Sequence, residues 1–141
     1  MPDSRFDKLF SAEEVNELIP RLEVLMRELQ MTVRQMRARI AELSKGEPAL
    51  LTLELPEILE RFPELRAYGS ALAETVSQIE AFGCILKDVD QGLLDFPFDM
   101  GEEVVFLCWQ YGEPQVVAWH SIDGGFASRQ PLPGARKTYL N

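Results

Sequence analysis

Apolar residues recur along the first third of the chain with the spacing of a helix. Val15, Leu22, Leu29, Met36 and Leu43 fall seven apart, and Ile19, Met26, Val33 and Ile40 make a second such row. Leu18 and Leu25 begin a third, which Thr32 and Arg39 break. Together the rows form an apolar stripe about eight turns long at 3.6 residues per turn, weaker in its second half. Before it, Ser11-Ala12-Glu13-Glu14 has the form of a capping box, in which Ser11 accepts from the Glu14 N–H and Glu14 reaches back. The pattern predicts a helix over 11–43. Pro20 lies inside it, with no N–H and with a ring that crowds the Asn16 carbonyl. It predicts either a kink or a boundary, with a short helix 11–19 followed by a new one starting at Pro20.

Gly46 and Pro48 end this helix. The run 49–55 is apolar but too short to classify by period. Ile58, Leu59 and Phe62 resume a helical pattern, and Pro63 breaks or kinks it. Leu65, Tyr68, Leu72, Val76, Ile79 and Phe82 carry it on to Gly83, which stands where a glycine ends a helix. Two helical segments, 11–43 and 56–82, with a short break between them imply an antiparallel hairpin of coiled-coil character.

The second half changes period. Cys84 to Lys87 is a short strand, and Asp88 to Gly92 is a turn. Leu93 to Phe96 is apolar and Pro97 is expected to stop it. Glu103 to Trp109 is the strongest strand, apolar on both faces and so expected to be covered on both. Tyr111 to Pro114 is a turn and Gln115 to His120 a further strand. These make a small antiparallel β-meander of three or four strands over 84–120. Residues 121–141 read as a loop and an extended tail without period, holding Pro131, Pro133 and Gly134. The predicted fold class is α+β in a single domain, 1–141: a long N-terminal helical hairpin, a small sheet and the tail.

Lengths suggest a partner. A helix of about 33 residues is roughly 50 Å long, whereas strands of about six residues span roughly 20 Å. One short sheet does not cover an eight-turn stripe, so self-association is expected, most simply as a homodimer that forms a four-helix bundle.

Composition narrows the class. With 141 residues, 46% hydrophobic and 26% charged, the chain has the makeup of one globular domain rather than a disordered segment. Fourteen Lys+Arg against 23 Asp+Glu leave a net charge of −9. Such a chain repels nucleic acid and anionic membranes unless a local patch reverses the sign. No apolar run approaches the roughly 20 residues that span a bilayer. Arg27, Arg34, Arg37 and Arg39 read as a solvated helix face rather than an RNA stripe, since no aromatics interleave with them. Arg129, Arg136 and Lys137 make the C-terminal segment basic, suited to fold back on the acidic sheet or to meet an anionic partner. Two cysteines, Cys84 and Cys108, form neither a disulfide framework nor a Cys-x-x-Cys pair, and a reducing cytoplasm is expected.

Candidate chemistry gathers in the second half. The one histidine, His120, follows Trp119 at a strand end, with Asp123 three residues on. Asp95 is an acid within an apolar run, and Cys84 and Cys108 lie on other strands. If the strands are neighbours, Cys84, Asp95, Cys108, His120 and Asp123 converge at one end of the sheet. They supply imidazole, thiolate and carboxylate, the ligand types of zinc, although their spacing matches no zinc motif. A cysteine nucleophile with a histidine base is a second reading, and buried cysteines with a hydrogen-bonded histidine a third. Trp109 and Trp119 are placed to stack across a strand pair or to line a pocket. With His120 and Arg129 they are the candidates for a binding surface. Gly124-Gly125, near Arg129, is a weak signal for backbone contact with an anion.

Several short segments resemble one family. They are Ser11-Ala12-Glu13-Glu14-Val15-Asn16, Leu18-Ile19-Pro20-Arg21-Leu22, Gly83-Cys84, Lys87-Asp88 and Gly92-Leu93-Leu94-Asp95-Phe96-Pro97. Leu107-Cys108-Trp109, Gly112-Glu113, Trp119-His120, Gly125-Phe126 and Arg129-Gln130-Pro131-Leu132 complete the set. Over roughly residues 9–132 the chain resembles the domain-of-unknown-function family 2203 of small prokaryotic proteins. That resemblance implies no activity, cofactor or partner and carries over no functional residues. The function expected first is a non-enzymatic, homo-oligomeric interaction module without a cofactor. It would bind an unknown protein partner at the sheet end. The alternative is a metal-binding protein, of zinc for example and possibly an enzyme, with its site around His120.

Overall fold

The computed structural model describes residues 5–133. Ser11 caps the first helix, α1 (Ala12–Ser44). Its hydroxyl accepts from the Glu14 N–H at 3.1 Å, and the Glu14 carboxylate accepts from the Ser11 N–H at 3.0 Å. The helix runs unbroken through Pro20, so no boundary falls there. Pro20 lies on the exposed side, where the carbonyl left without its N–H is open to solvent rather than buried in the core.

A 3-10 turn (Pro48–Thr52) leads to α2 (Leu55–Arg61), and α3 (Pro63–Glu80) follows after Phe62. The break at Pro63 is the one that its missing N–H predicts. Helices α1 and α3 run antiparallel. Arg39 pairs with Glu64 at 3.0 Å, and at the other end the Arg21 guanidinium lies 5.4 Å from the centre of the Phe82 ring.

The sheet has five strands in sequential order, all antiparallel: β1 (Ile85–Asp88), β2 (Leu93–Asp99), β3 (Val104–Gln110), β4 (Ala118–His120) and β5 (Gln130–Pro131). Two expectations are corrected here. Pro97 does not stop β2, which passes through it to Asp99. Strand β1 pairs only with Leu93 to Asp95, and beyond it the Phe10 N–H donates to the Pro97 carbonyl at 2.7 Å. N–H and C=O of one residue point the same way in a strand, so the missing N–H faces away from β3 and costs no ladder bond. The segment read as a loop and extended tail also supplies β5, which closes the sheet beside β4 and raises the strand count from three or four to five. Residues 134–141, the rest of that tail with Arg136 and Lys137, lie outside the described residues.

Register divides the sheet into two faces. Leu94, Phe96, Leu107 and Trp109 pack with Val15, Ile19, Leu22, Met26 and Leu29 of α1 and Ile79 of α3 in the main core. The opposite face carries Asp95, Phe106, Cys108 and His120. Strand β3 is therefore buried on both faces, as its sequence predicts. A second, smaller cluster, Leu50, Ile58 and Leu65, packs with Ile40, Leu43 and Phe62 at the far end of the hairpin.

The α1 stripe is covered within one chain as far as Met36. The sheet takes its first half, and α3 and the second cluster take the rest. An open stripe therefore gives no ground for self-association. The large apolar side chains exposed on α1 are instead Val24 and Met31. Among the described residues, no helix is long and apolar enough to cross a membrane.

Candidate metal centre

Strand parity brings three residues together. Asp95 of β2 is directly opposite Cys108 of β3, and Cys108 opposite Ala118 of β4. His120, two residues beyond Ala118, shares its face because side chains alternate. All three are buried, and one ligand atom from each lies within 4.8 Å of the other two.

Hydrogen bonds orient the set. His120 Nδ1 lies 2.7 Å from the Ser121 carbonyl, which only accepts, so Nδ1 carries the proton. Nε2 lies 3.0 Å from Asp95 Oδ1. One proton lies on that line, as an imidazolium–carboxylate or an imidazole–carboxylic acid pair. Asp95 Oδ2 is buried without a hydrogen-bond partner, and the Lys87 ammonium stands 4.0 Å from it. Burial pushes the Asp95 carboxyl above its ordinary range, against the lowering by His120, Lys87 and the Cys108 thiol. Burial also pushes the Cys108 thiol up to about 12. A cavity of about 90 Å³ adjoins the three, lined also by Lys87, Leu93, Gly124, Gly125 and Phe126.

This arrangement does not suit nucleophilic catalysis by Cys108. Both His120 nitrogens are engaged, neither by the thiol, and a thiol titrating at about 12 stays protonated at neutral pH. It does suit a metal. Imidazole nitrogen, carboxylate oxygen and sulfur are the donors zinc takes, and a coordinated thiol loses its proton outright. The Nδ1–H to carbonyl bond is the outer support that metal-bound histidines carry. Oδ2 is a buried acceptor without a hydrogen-bond partner, met only by the Lys87 charge at 4.0 Å.

The other sequence candidates lie elsewhere. Cys84 is in the helix-facing core, its thiol donating to the Ile79 carbonyl at 3.3 Å. Asp123 is exposed and lines a separate acidic cleft with Asp99, Glu102 and Glu103. Trp109 is fully buried in the core, its Nε1 donating to the Glu113 carbonyl at 2.9 Å. Its edge-on partner is Tyr111, while Trp119 is half-buried opposite Leu107. Arg129 pairs through Nη2 with both Glu113 oxygens, at 2.8 and 3.1 Å, beneath the Phe126 ring. It fastens the loop over the cavity to the β3–β4 turn, so this part of the basic segment folds back on its own chain. The Gly124 and Gly125 N–H groups are taken by the Ser121 carbonyl and the Ser128 hydroxyl, so they form no anion nest. On α1, Arg27, Arg37 and Arg39 bond Tyr111, Asp90 and Glu64.

Lys87 and Ser121 were not singled out as site residues by sequence. For Lys87 a signal existed, since it is the one Lys or Arg between residues 84 and 123. For Ser121 none did, because its contribution is a backbone carbonyl.

No curated protein and no solved structure matches the chain. The model of one family, described as "Uncharacterized conserved protein (DUF2203)", matches residues 8–132, and the chain belongs to that family.

Proposed function

We propose that the protein binds a transition metal, zinc by ligand type, through Asp95, Cys108 and His120. Sequence ranks an interaction module first and a metal site second, and the geometry favours the reverse order. The observation that carries this reading is the convergence of three different donor types within 4.8 Å, one of them with a buried carboxylate oxygen that has no hydrogen-bond partner. Lys87 opposes it with a positive charge, but its side chain is half-exposed and free to move aside. Two free, buried thiols suit a reducing compartment, and the cytoplasm is the proposed location. The test is native mass spectrometry of untagged protein purified without chelator, followed by Co²⁺ titration of the stripped protein. One equivalent per chain, with sulfur-to-cobalt absorption lost in Cys108→Ala and binding lost in His120→Ala, supports the reading. No binding, or equal binding by both variants, refutes it.

A second reading, self-association, has its own observation. Val24 and Met31, one heptad apart on α1, are 52% and 46% exposed, and Pro20, Leu25 and Phe82 line an apolar groove beside Val24. We propose a second copy as the occupant. Light scattering should give twice the chain mass, reduced by Val24→Lys with Met31→Lys. A monomer at high concentration refutes it.

A further inference from the structure

We infer that the cavity beside Asp95, Cys108 and His120 is a binding site for a small anion, held between the metal and Lys87. This rests on the metal reading above. Three protein donors leave a tetrahedral ion one position short, the arrangement of sites that bind an exogenous ligand. The cavity of about 90 Å³ adjoins all three donors. One water needs about 10–15 Å³ of such space, so the cavity admits a ligand of a few heavy atoms.

Charge selects the sign of that ligand. A carboxylate and a thiolate together offset a divalent ion, and neutral imidazole adds nothing. The Lys87 ammonium then leaves the loaded cavity positive. Without metal it stands 4.0 Å from Asp95 Oδ2 and 5.1 Å from the centre of the Phe106 ring. Once Asp95 serves a metal, the Lys87 charge is left to attract another anion, and its half-exposed side chain is placed at the cavity to meet one. Leu93 and Phe126 add apolar surface to the lining, which lowers the local dielectric and strengthens charge pairing.

The experiment uses Co²⁺-loaded full-length protein and acetate as the probe. Acetate should shift the visible cobalt bands saturably. Lys87→Met should weaken that response at least tenfold and leave the cobalt endpoint at one equivalent, and Lys87→Arg should restore most of the response. A loaded protein whose spectrum ignores acetate, or a Lys87→Met variant that responds as wild type does, overturns the inference and leaves the metal reading intact. A wild type that takes up no cobalt refutes both.

Discussion

His120 Nε2 lies 3.0 Å from Asp95 Oδ1 although a whole strand, β3, separates their strands. The two side chains close over Cys108. Both are buried, so removing one leaves the other without its counterpart. His120→Ala in chelator-treated protein should cost about 3–5 kcal/mol in urea unfolding, the range for breaking a buried pair. Adding Asp95→Asn should recover part of the loss, because a neutral amide tolerates burial better than a carboxylate. A single variant within about 1 kcal/mol of wild type would show that the pair holds nothing together.

Arg129 and Glu113 form the second inward pair, slightly more open, at 15% and 12% exposure. Arg129→Met should destabilise by about 2–3 kcal/mol, below the fully buried range. The loss should be local. Limited proteolysis should cut first within 121–129, the segment Arg129 fastens, while the helices stay resistant. Unchanged cleavage there would mean that other contacts hold the loop.

Two glycines separate steric from conformational cost. Gly92 has φ +68°, and a Cβ there would lie 2.5 Å from Tyr111 Cβ. Gly112 has φ +102° with open space around it. Gly112→Ala should lose about 1–2 kcal/mol from backbone strain alone. Gly92→Ala should lose clearly more, because the Tyr111 backbone must shift too. Equal thermal shifts in the two variants would contradict this.

Cys84 gives a pH test away from Asp95, Cys108 and His120. Burial raises its thiol from an ordinary 9.0 to about 12. The unfolded chain therefore ionises it first. The stabilisation is full below the unfolded value and is lost as pH rises through the folded one. Stability should fall with a slope of up to about 1.4 kcal/mol per pH unit from this thiol in that window. Urea midpoints measured from about pH 8 to about pH 10.5 should fall less steeply in Cys84→Ala than in wild type. Parallel slopes would show that Cys84 ionises equally in both states.

Much of the fold was legible because its signals are local. The Ser11–Glu14 box and the seven-residue rows specify α1 without reference to the rest of the chain. The strand through Pro97 was not legible, since its harmlessness depends on Phe10 reaching the strand edge from far away in sequence. Strand β5 is two residues long and carries no period at all. The candidate site shows the same division. Asp95, Cys108 and His120 were each conspicuous, as were Cys84 and Asp123. Which of the five converge is decided by register: Asp95 faces Cys108, and Cys108 faces a residue two before His120. Cys84 lies between α3 and β1, on the helix side of the sheet, a position that residue type alone does not reveal.

Helix α1 is shared between two cores that do not merge. The larger joins its N-terminal part to the sheet, and the smaller joins Ile40 and Leu43 to Leu50, Ile58 and Leu65. Cooperativity should therefore be graded along the molecule. The outer storey, with few buried side chains, opens and exchanges its amide protons first, while the storey that carries Asp95 and His120 stays closed. Sequence change at the distal tip is thereby insulated from the buried pair in the sheet.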